Sequence, residues 1–389
     1  MEIPSINFKK STMAGIYLHI PFCKTRCIYC DFYTTTKNSL MESYILALCN
    51  ELEMRKDYLQ GEPLETIYFG GGTPSQLSLK DFSKIFNTIE RVYDTSYCKE
   101  ITLEANPDDL SPKYLSELAQ LPFNRISIGI QTFNGPTLKL LKRRHNAEQA
   151  IKAVAHSREA GFNNISIDLM YGLPGENEET WKKDLEQAIA LNVEHISAYH
   201  LTYEKGTPLY RMLNKREVEE VNEEVSIRFF SILTERLSAA GYEQYEISNF
   251  CLPQKYSCHN TSYWKGTKYL GCGPSAHSFN GETREWNISS TTAYIKGIEN
   301  NQRSYKTECL DTKTRYNELV ITSMRTRWGL SLEQISQRFG QFYLDYCLTI
   351  ANKYIANEQL ELLNNHLKLT KKGIFVSDGI MSDLLRVEN

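Results

Sequence analysis

Cys23-Lys24-Thr25-Arg26-Cys27-Ile28-Tyr29-Cys30 places three thiols within eight residues, directly after the strand-like run Gly15-Ile16-Tyr17-Leu18-His19-Ile20. Three thiolates are too few to close a structural zinc tetrahedron, which wants four ligands. They are one too few for an ordinary four-iron, four-sulfur cluster. No fourth cysteine stands nearby, because Cys49 falls inside a helical pattern and Cys98 lies beyond a further strand. The simplest chemistry for this loop is a cluster whose fourth iron stays open to an exogenous ligand.

Working outward, residues 40–59 carry Tyr44, Leu48 and Leu52 at helical spacing. Thr66-Ile67-Tyr68-Phe69 then reads as a strand, stopped by Gly70-Gly71-Gly72-Thr73-Pro74. The unit recurs: strands are expected at Ile101-Thr102-Leu103-Glu104, Arg125-Ile126-Ser127-Ile128-Gly129-Ile130, Ile165-Ser166-Ile167-Asp168-Leu169 and His195-Ile196-Ser197-Ala198-Tyr199. Helical patterns lie near 78–92, 112–120, 147–160 and 178–191. Strands alternating with helices imply parallel βα units joined by right-handed crossovers. A barrel and an open doubly wound sheet both satisfy that pattern. Ile126, Ile128 and Ile130 share one strand face, and Ser127 and Gly129 take the other, as small residues would beneath a bound ligand. Ligands in parallel α/β folds bind at the carboxyl ends of the strands. There fall the cysteine loop, the triple glycine, Glu104, Gln131 and Asp168.

The chain of 389 residues is long enough for two or three domains. A net charge of -3 provides no global basic field for nucleic acid. No apolar run approaches the roughly 20 residues that span a bilayer, and no signal-peptide apolar region is present. Ten cysteines, three of them clustered, do not make a disulfide framework, so a reducing cytoplasm is expected. Residues 1–14 are polar and pattern-free and are expected to be an N-terminal extension, with Met1 and Met13 both open as the start.

From about residue 204 the pattern changes. A long charged helix is expected over 217–237, followed by 241–281, which is rich in Tyr, Cys, Gly and Asn with little periodicity. Loops of that length are usually functional or disordered, and the aromatic content argues against disorder. Ser331-Leu332-Glu333-Gln334 is a capping box opening a helix. Leu367-Lys368-Leu369-Thr370-Lys371-Lys372-Gly373 followed by Ile374-Phe375-Val376 suggests a hairpin, giving a small winged-helix-like C-terminal domain. Residues 310–389 hold ten Lys and Arg against nine Asp and Glu, which favours protein docking or a lid over DNA.

The three cysteines, spaced by three and then two residues, resemble the signature of the radical S-adenosylmethionine (SAM) superfamily. In that family the amino and carboxylate groups of SAM occupy the open iron, and one electron from the cluster cleaves the sulfonium. Tyr17-Leu18-His19-Ile20-Pro21-Phe22-Cys23 narrows the likeness to the branch holding the oxygen-independent coproporphyrinogen oxidases (HemN) and the related haem chaperones (HemW). The resemblance implies an α/β fold, a partial (β/α)6 barrel with an α+β extension and the small C-terminal domain. It divides the chain into the extension (1–14), a core (15–240), a haem-motif region packed on the barrel (241–305) and the C-terminal domain (306–389). It implies a [4Fe-4S] cluster on Cys23, Cys27 and Cys30, and SAM contacts from Tyr17, Gly70, Gly71, Gly72, Thr73, Glu104, Gln131, Arg143 and Asp168. Some relatives hold a second SAM, and the positions that touch it are present here. Arg143 reads nearly as well as a solvated helix-end charge beside Lys142 and Arg144, whereas a buried Asp168 without partners would be expensive.

Two further features separate the chaperones from the oxidases. The oxidases carry another cysteine two positions after the third cluster cysteine, where this chain has Phe32. Cys258-His259-Asn260-Thr261-Ser262-Tyr263-Trp264 contains His-Asn-x-x-Tyr-Trp, which resembles the haem-binding motif of HemW; Tyr269-Leu270-Gly271-Cys272-Gly273 and Ala276-His277-Ser278 extend the likeness. The resemblance then implies a cytoplasmic chaperone that binds haem and transfers it to an unidentified acceptor protein. His259 would be the axial ligand, oriented by Asn260, with Tyr263 and Trp264 lining the site and Cys258 and His277 as alternative donors. No nucleic-acid partner and no transmembrane segment are expected, and a membrane acceptor would be met peripherally. The competing expectation is an oxidative decarboxylase of coproporphyrinogen III, and an RNA-modifying radical enzyme is disfavoured by the charge balance.

Overall fold

The computed structural model describes residues 13–387, so most of the expected extension, residues 1–12, lies outside the described residues. Six strands run parallel in chain order: β1 (Ala14–Ile20), β2 (Leu64–Gly71), β3 (Glu100–Ala105), β4 (Arg125–Gln131), β5 (Ile165–Tyr171) and β6 (His195–His200). Their outward residues form the core. Ile16, Leu18, Ile20, Phe69, Leu103, Ile126, Ile128, Ile130, Ile165 and Ile167 are fully buried, beneath amphipathic helices such as Met41–Met54 and Leu79–Val92. The period-2 alternation assigns the remaining face, with Ser127 and Gly129, to the interior.

The six strands do not close on themselves. The edge of β6 is continued by antiparallel β7 (Glu243–Gln244) and β8 (Asn249–Cys251). The edge of β1 is continued by parallel β9 (Tyr269–Cys272), then antiparallel β10 (His277–Phe279), β11 (Thr283–Asn287) and β12 (Tyr305–Cys309). The result is a twelve-stranded sheet curled into a partial barrel.

The segment 241–281 is therefore more regular than its sequence suggests: it holds four of these short strands and the helix Cys258–Trp264. The strands are two to four residues long, too short to show a period. A buried carboxylate pins this region to the barrel. Glu51, fully buried on the helix Met41–Met54, accepts from Gly273 N (2.8 Å), Asn287 Nδ2 (2.7 Å) and the Tyr294 hydroxyl (2.7 Å).

Two other expectations shift. The helix expected over 217–237 spans Glu223–Ala239, because the Asn222 side chain accepts from Val225 N and caps it there, and a separate helix forms at Pro208–Asn214. The C-terminal hairpin joins β14 (Leu360–Leu363) to β15 (His366–Leu369), with β13 (Leu330–Ser331) on its edge. Residues 374–376 are not its second arm: the Thr370 hydroxyl accepts from Gly373 N and turns Lys371–Ile374 into a short helix. The helices Thr312–Met324, Leu332–Phe339, Gln341–Ala356 and Ser377–Leu384 pack around this hairpin over a core of Tyr316, Val320, Ile335, Cys347 and Leu367. Among the described residues no helix is long and apolar enough to cross a membrane.

Candidate functional site

At the carboxyl end of the strands, Cys23, Cys27 and Cys30 line one cavity of about 510 Å³ together with Gly71, Gly72, Thr73, Glu104, Gln131, Arg143 and Asp168. The cysteine loop is seated on β2 by close backbone approach. Gly72 N donates to Ile20 O at 2.8 Å, and a Cβ on Gly72 would stand 2.8–2.9 Å from Pro21 C, Ile20 O and Phe22 O. A Cβ on Gly71, at φ +108°, would stand 2.6 Å from Nδ1 of the His19 ring. Glycine is thus demanded here by the loop that carries the thiols.

The sulfurs are supplied with donors. The Thr73 hydroxyl lies 3.5 Å from Cys23 Sγ, and Arg143 Nη1 lies 3.4 Å from Cys27 Sγ. Burial pushes the Cys30 thiol up to about 11, so iron, which deprotonates a coordinating thiol outright, is the group that would make it a thiolate. Among the described residues no three Cys, His, Asp or Glu side chains converge on a single ion. Three separate thiols around one cavity suit a multi-iron cluster, in which each cysteine binds a different iron.

Arg143 is not a solvated surface charge. Its guanidinium reaches into the cavity, donating to Asn106 Oδ1 at 2.9 Å and to Gly129 O, with its Nε buried and unsatisfied. The neighbouring Arg144 turns the other way, to Asp108 (2.8 Å) and Asp109 (3.0 Å). Lys24 and the Ser75 hydroxyl also bind Asp109, which locks the cysteine loop to the turn after β3.

Two carboxylates face each other across the cavity. Glu104 accepts from the Tyr68 hydroxyl (2.7 Å) and Gly71 N (3.1 Å), and burial, with Asp168 adding to it, raises its pKa to about 7. Asp168 accepts from Ser127 and Ser197, and burial raises its pKa to about 6. These two serines are the partners its position required. Gln131 is aimed inward by a bulge between Gly129 and Gln131 in the β4–β5 pairing, at a left-handed φ of +70°.

Tyr17 and Gly70 stand one step back from this cavity. The Tyr17 ring stacks on Tyr68 (6.1 Å) and lines a second cavity of about 1110 Å³. The second cavity lies between the barrel, the helix Cys258–Trp264 and the C-terminal domain, and it is walled by Phe32, Tyr199, Tyr263, Trp264, Tyr269 and His277. Asp31, Phe32, Tyr199 and Asn260 border both cavities.

His259 sits on the helix Cys258–Trp264, not in a loop, and is buried among the amino ends of the strands. Nδ1 pairs with the Thr66 hydroxyl (2.8 Å), Nε2 with the Tyr263 hydroxyl (2.9 Å), and the ring stacks on Tyr68 at 4.8 Å. Thr66, rather than the expected Asn260, orients the imidazole. Burial holds its pKa down at about 3, so the ring is neutral. The helix is held by Glu100, whose carboxylate accepts from Cys258 N (2.8 Å) and His259 N (2.9 Å). Trp264 lines the cavity with its indole Nε1 buried and unpaired, and His277 is an exposed imidazole on the same cavity.

Sequence reasoning missed Asn106, Glu100 and Thr66. Asn106 follows Glu104 at the strand end, where position alone could have flagged it. Glu100 and Thr66 lie more than 150 residues from the groups they bind, and no local signal marks them.

The radical SAM superfamily profile matches residues 17–188, and the HemN C-terminal domain profile matches residues 310–376. A haem chaperone HemW of Mycobacterium tuberculosis is 31% identical over 390 residues, covering 99% of this chain and 98% of its own length. A haem chaperone HemW of Bacillus subtilis is 35% identical over 334 residues, covering 85% of this chain and 88% of its own. The solved coproporphyrinogen III oxidase HemN of Escherichia coli superposes with a TM-score of 0.84 at 22% identity, over 96% of this chain and 90% of its own, a likeness of fold.

Proposed function

The chain belongs to the HemW family of the radical SAM superfamily, and from that premise we propose that it binds haem and passes it to an acceptor protein. Superfamily membership implies a [4Fe-4S] cluster and SAM. On this reading Cys23, Cys27 and Cys30 hold the cluster, and Glu104, Gln131, Arg143 and Asp168 bind the polar groups of SAM. When bound, the cluster supplies one electron for cleaving the sulfonium.

The observation that carries the proposal is the second cavity, aromatic and distinct from the cysteine cavity yet sharing a wall with it. A macrocycle needs flat apolar surface, which Tyr263 and Trp264 offer. His259 is assigned to the haem iron: Tyr263 would release Nε2 while Thr66 keeps Nδ1 and so fixes the ring. Phe32, 63% exposed on the shared wall, occupies the place where the oxidases carry a cysteine. The cytoplasm is the proposed compartment, with a membrane acceptor approached from its surface.

Haem titration of the wild type, His259→Ala and His277→Ala proteins tests the assignment, with circular dichroism to establish that each is folded. The expected result is loss of the ligated Soret band in His259→Ala alone. An unchanged band in folded His259→Ala and a lost one in His277→Ala would move the ligand to His277.

A further inference from the structure

The side of the second cavity opposite the barrel is built by the C-terminal domain, and it carries Arg315, Arg325 and Arg338. None of the three has a carboxylate within ion-pair distance among the described residues. Their neighbours do: Arg284 is taken up by Glu318 and Glu308, Arg303 by Glu285, and Arg327 by Glu243. The Nε groups of Arg315 and Arg325 are buried with no acceptor. Burial, and then the neighbouring Arg315 charge, lowers the Arg338 pKa.

Around the cavity, Lys265, Arg284, Arg315, Arg325 and Arg338 stand against only Asp31, Glu246 and Glu318. Glu318 is held by Arg284, and Glu246 accepts from Ser248 N and Asn249 Nδ2; Glu246 feels the Arg325 charge, but among the described residues the two form no ion pair. Partly buried guanidiniums without anions cost stability, and that cost is removed when a carboxylate docks on them in the planar two-bond geometry. The facing wall is flat and apolar, from Phe32, Tyr199, Tyr263 and Trp264.

Resting on the haem-binding reading above, we propose that Arg315 and Arg325, with Arg338 beside them, take the carboxylates of a planar tetrapyrrole whose ring lies against Tyr263 and Trp264. The cargo is then specified as a free diacid. The C-terminal domain is the part that reads this, so loading couples that domain to the barrel.

The test uses the full chain with iron protoporphyrin IX and with its dimethyl ester, which keeps ring and metal but has no ionised carboxylate. Wild type should bind the ester at least about tenfold more weakly, the scale of one lost charge-assisted hydrogen bond. The Arg315→Gln/Arg325→Gln variant should drop free-acid binding to the level of the ester while leaving ester binding unchanged. Added salt should weaken only the free acid on wild type. Equal wild-type affinity for acid and ester overturns the assignment without needing any variant. So does full free-acid affinity in the double variant; haem binding that still depends on His259 would then leave the chaperone reading standing. Failure of wild type to bind either compound overturns both.

Discussion

Replacing Glu104 with Gln is expected to stabilise the ligand-free protein at neutral and alkaline pH. The Glu104 carboxyl titrates at about 7 in the fold against an ordinary 4.5, chiefly through desolvation, with Asp168 adding to it. That difference corresponds to roughly 3 kcal/mol, reduced by partial solvent access to about 1–2 kcal/mol. The sign follows from proton uptake: between pH 4.5 and about 7 the folded state holds the proton and the unfolded state does not, so stability falls as pH rises and levels off above 7. Gln removes the titration. Its amide oxygen can accept from Gly71 N while its NH2 donates to Tyr68, whose hydroxyl rotates to suit, so both contacts survive. Urea melts of metal-free wild type and Glu104→Gln across pH 4–9 should show no gain near pH 4 and a gain of about 1–2 kcal/mol at pH 8. A pH-independent loss of stability in the variant would refute the argument, since it would mean that the carboxylate contributes contacts and no net desolvation cost.

Glu100→Ala leaves the amides of Cys258 and His259 without acceptors and should cost about 2–4 kcal/mol in the same melts; a cost below about 0.5 kcal/mol would show that water replaces the carboxylate. Gln131→Gly relieves a left-handed backbone and should raise ligand-free stability by about 1 kcal/mol while weakening SAM binding in equilibrium dialysis; unchanged SAM binding would remove Gln131 from the site. Coproporphyrinogen III offered anaerobically with SAM and reductant should not turn over, because Phe32 replaces the additional cysteine, and repeated formation of protoporphyrinogen would instead favour the oxidase reading.

The barrel was legible because its signals are local. Each parallel strand is a short run carrying β-branched or aromatic residues and ended by a turn or a cap, and the alternation of Ile126, Ile128 and Ile130 with Ser127 and Gly129 marks its inner face. The cysteine loop was legible from spacing alone, and the structure places its thiols on one cavity with Glu104, Gln131, Arg143 and Asp168. What escaped depends on distant partners or on backbone angle. Lys142-Arg143-Arg144 looks like a surface charge run, and only the turn at Lys142, φ +57°, sends Arg143 inward and Arg144 outward. Cys258–Trp264 has no apolar period; its helix rests on the Ser257 cap and on Glu100 from β3. At Thr370 the side-chain cap prevailed over the apolar run Ile374-Phe375-Val376, and a strand became a helical turn.

The central claim is that haem and the iron-sulfur cluster occupy separate, adjoining cavities. Anaerobic haem titration of the reconstituted protein, set beside the Cys23→Ala/Cys27→Ala/Cys30→Ala variant and followed at the Soret band, tests it most directly. The variant is expected to lose its bound iron, sulfide and broad visible absorption yet still saturate with haem at the wild-type stoichiometry. Loss of saturable haem binding together with the cluster, in a variant that remains folded, would contradict it.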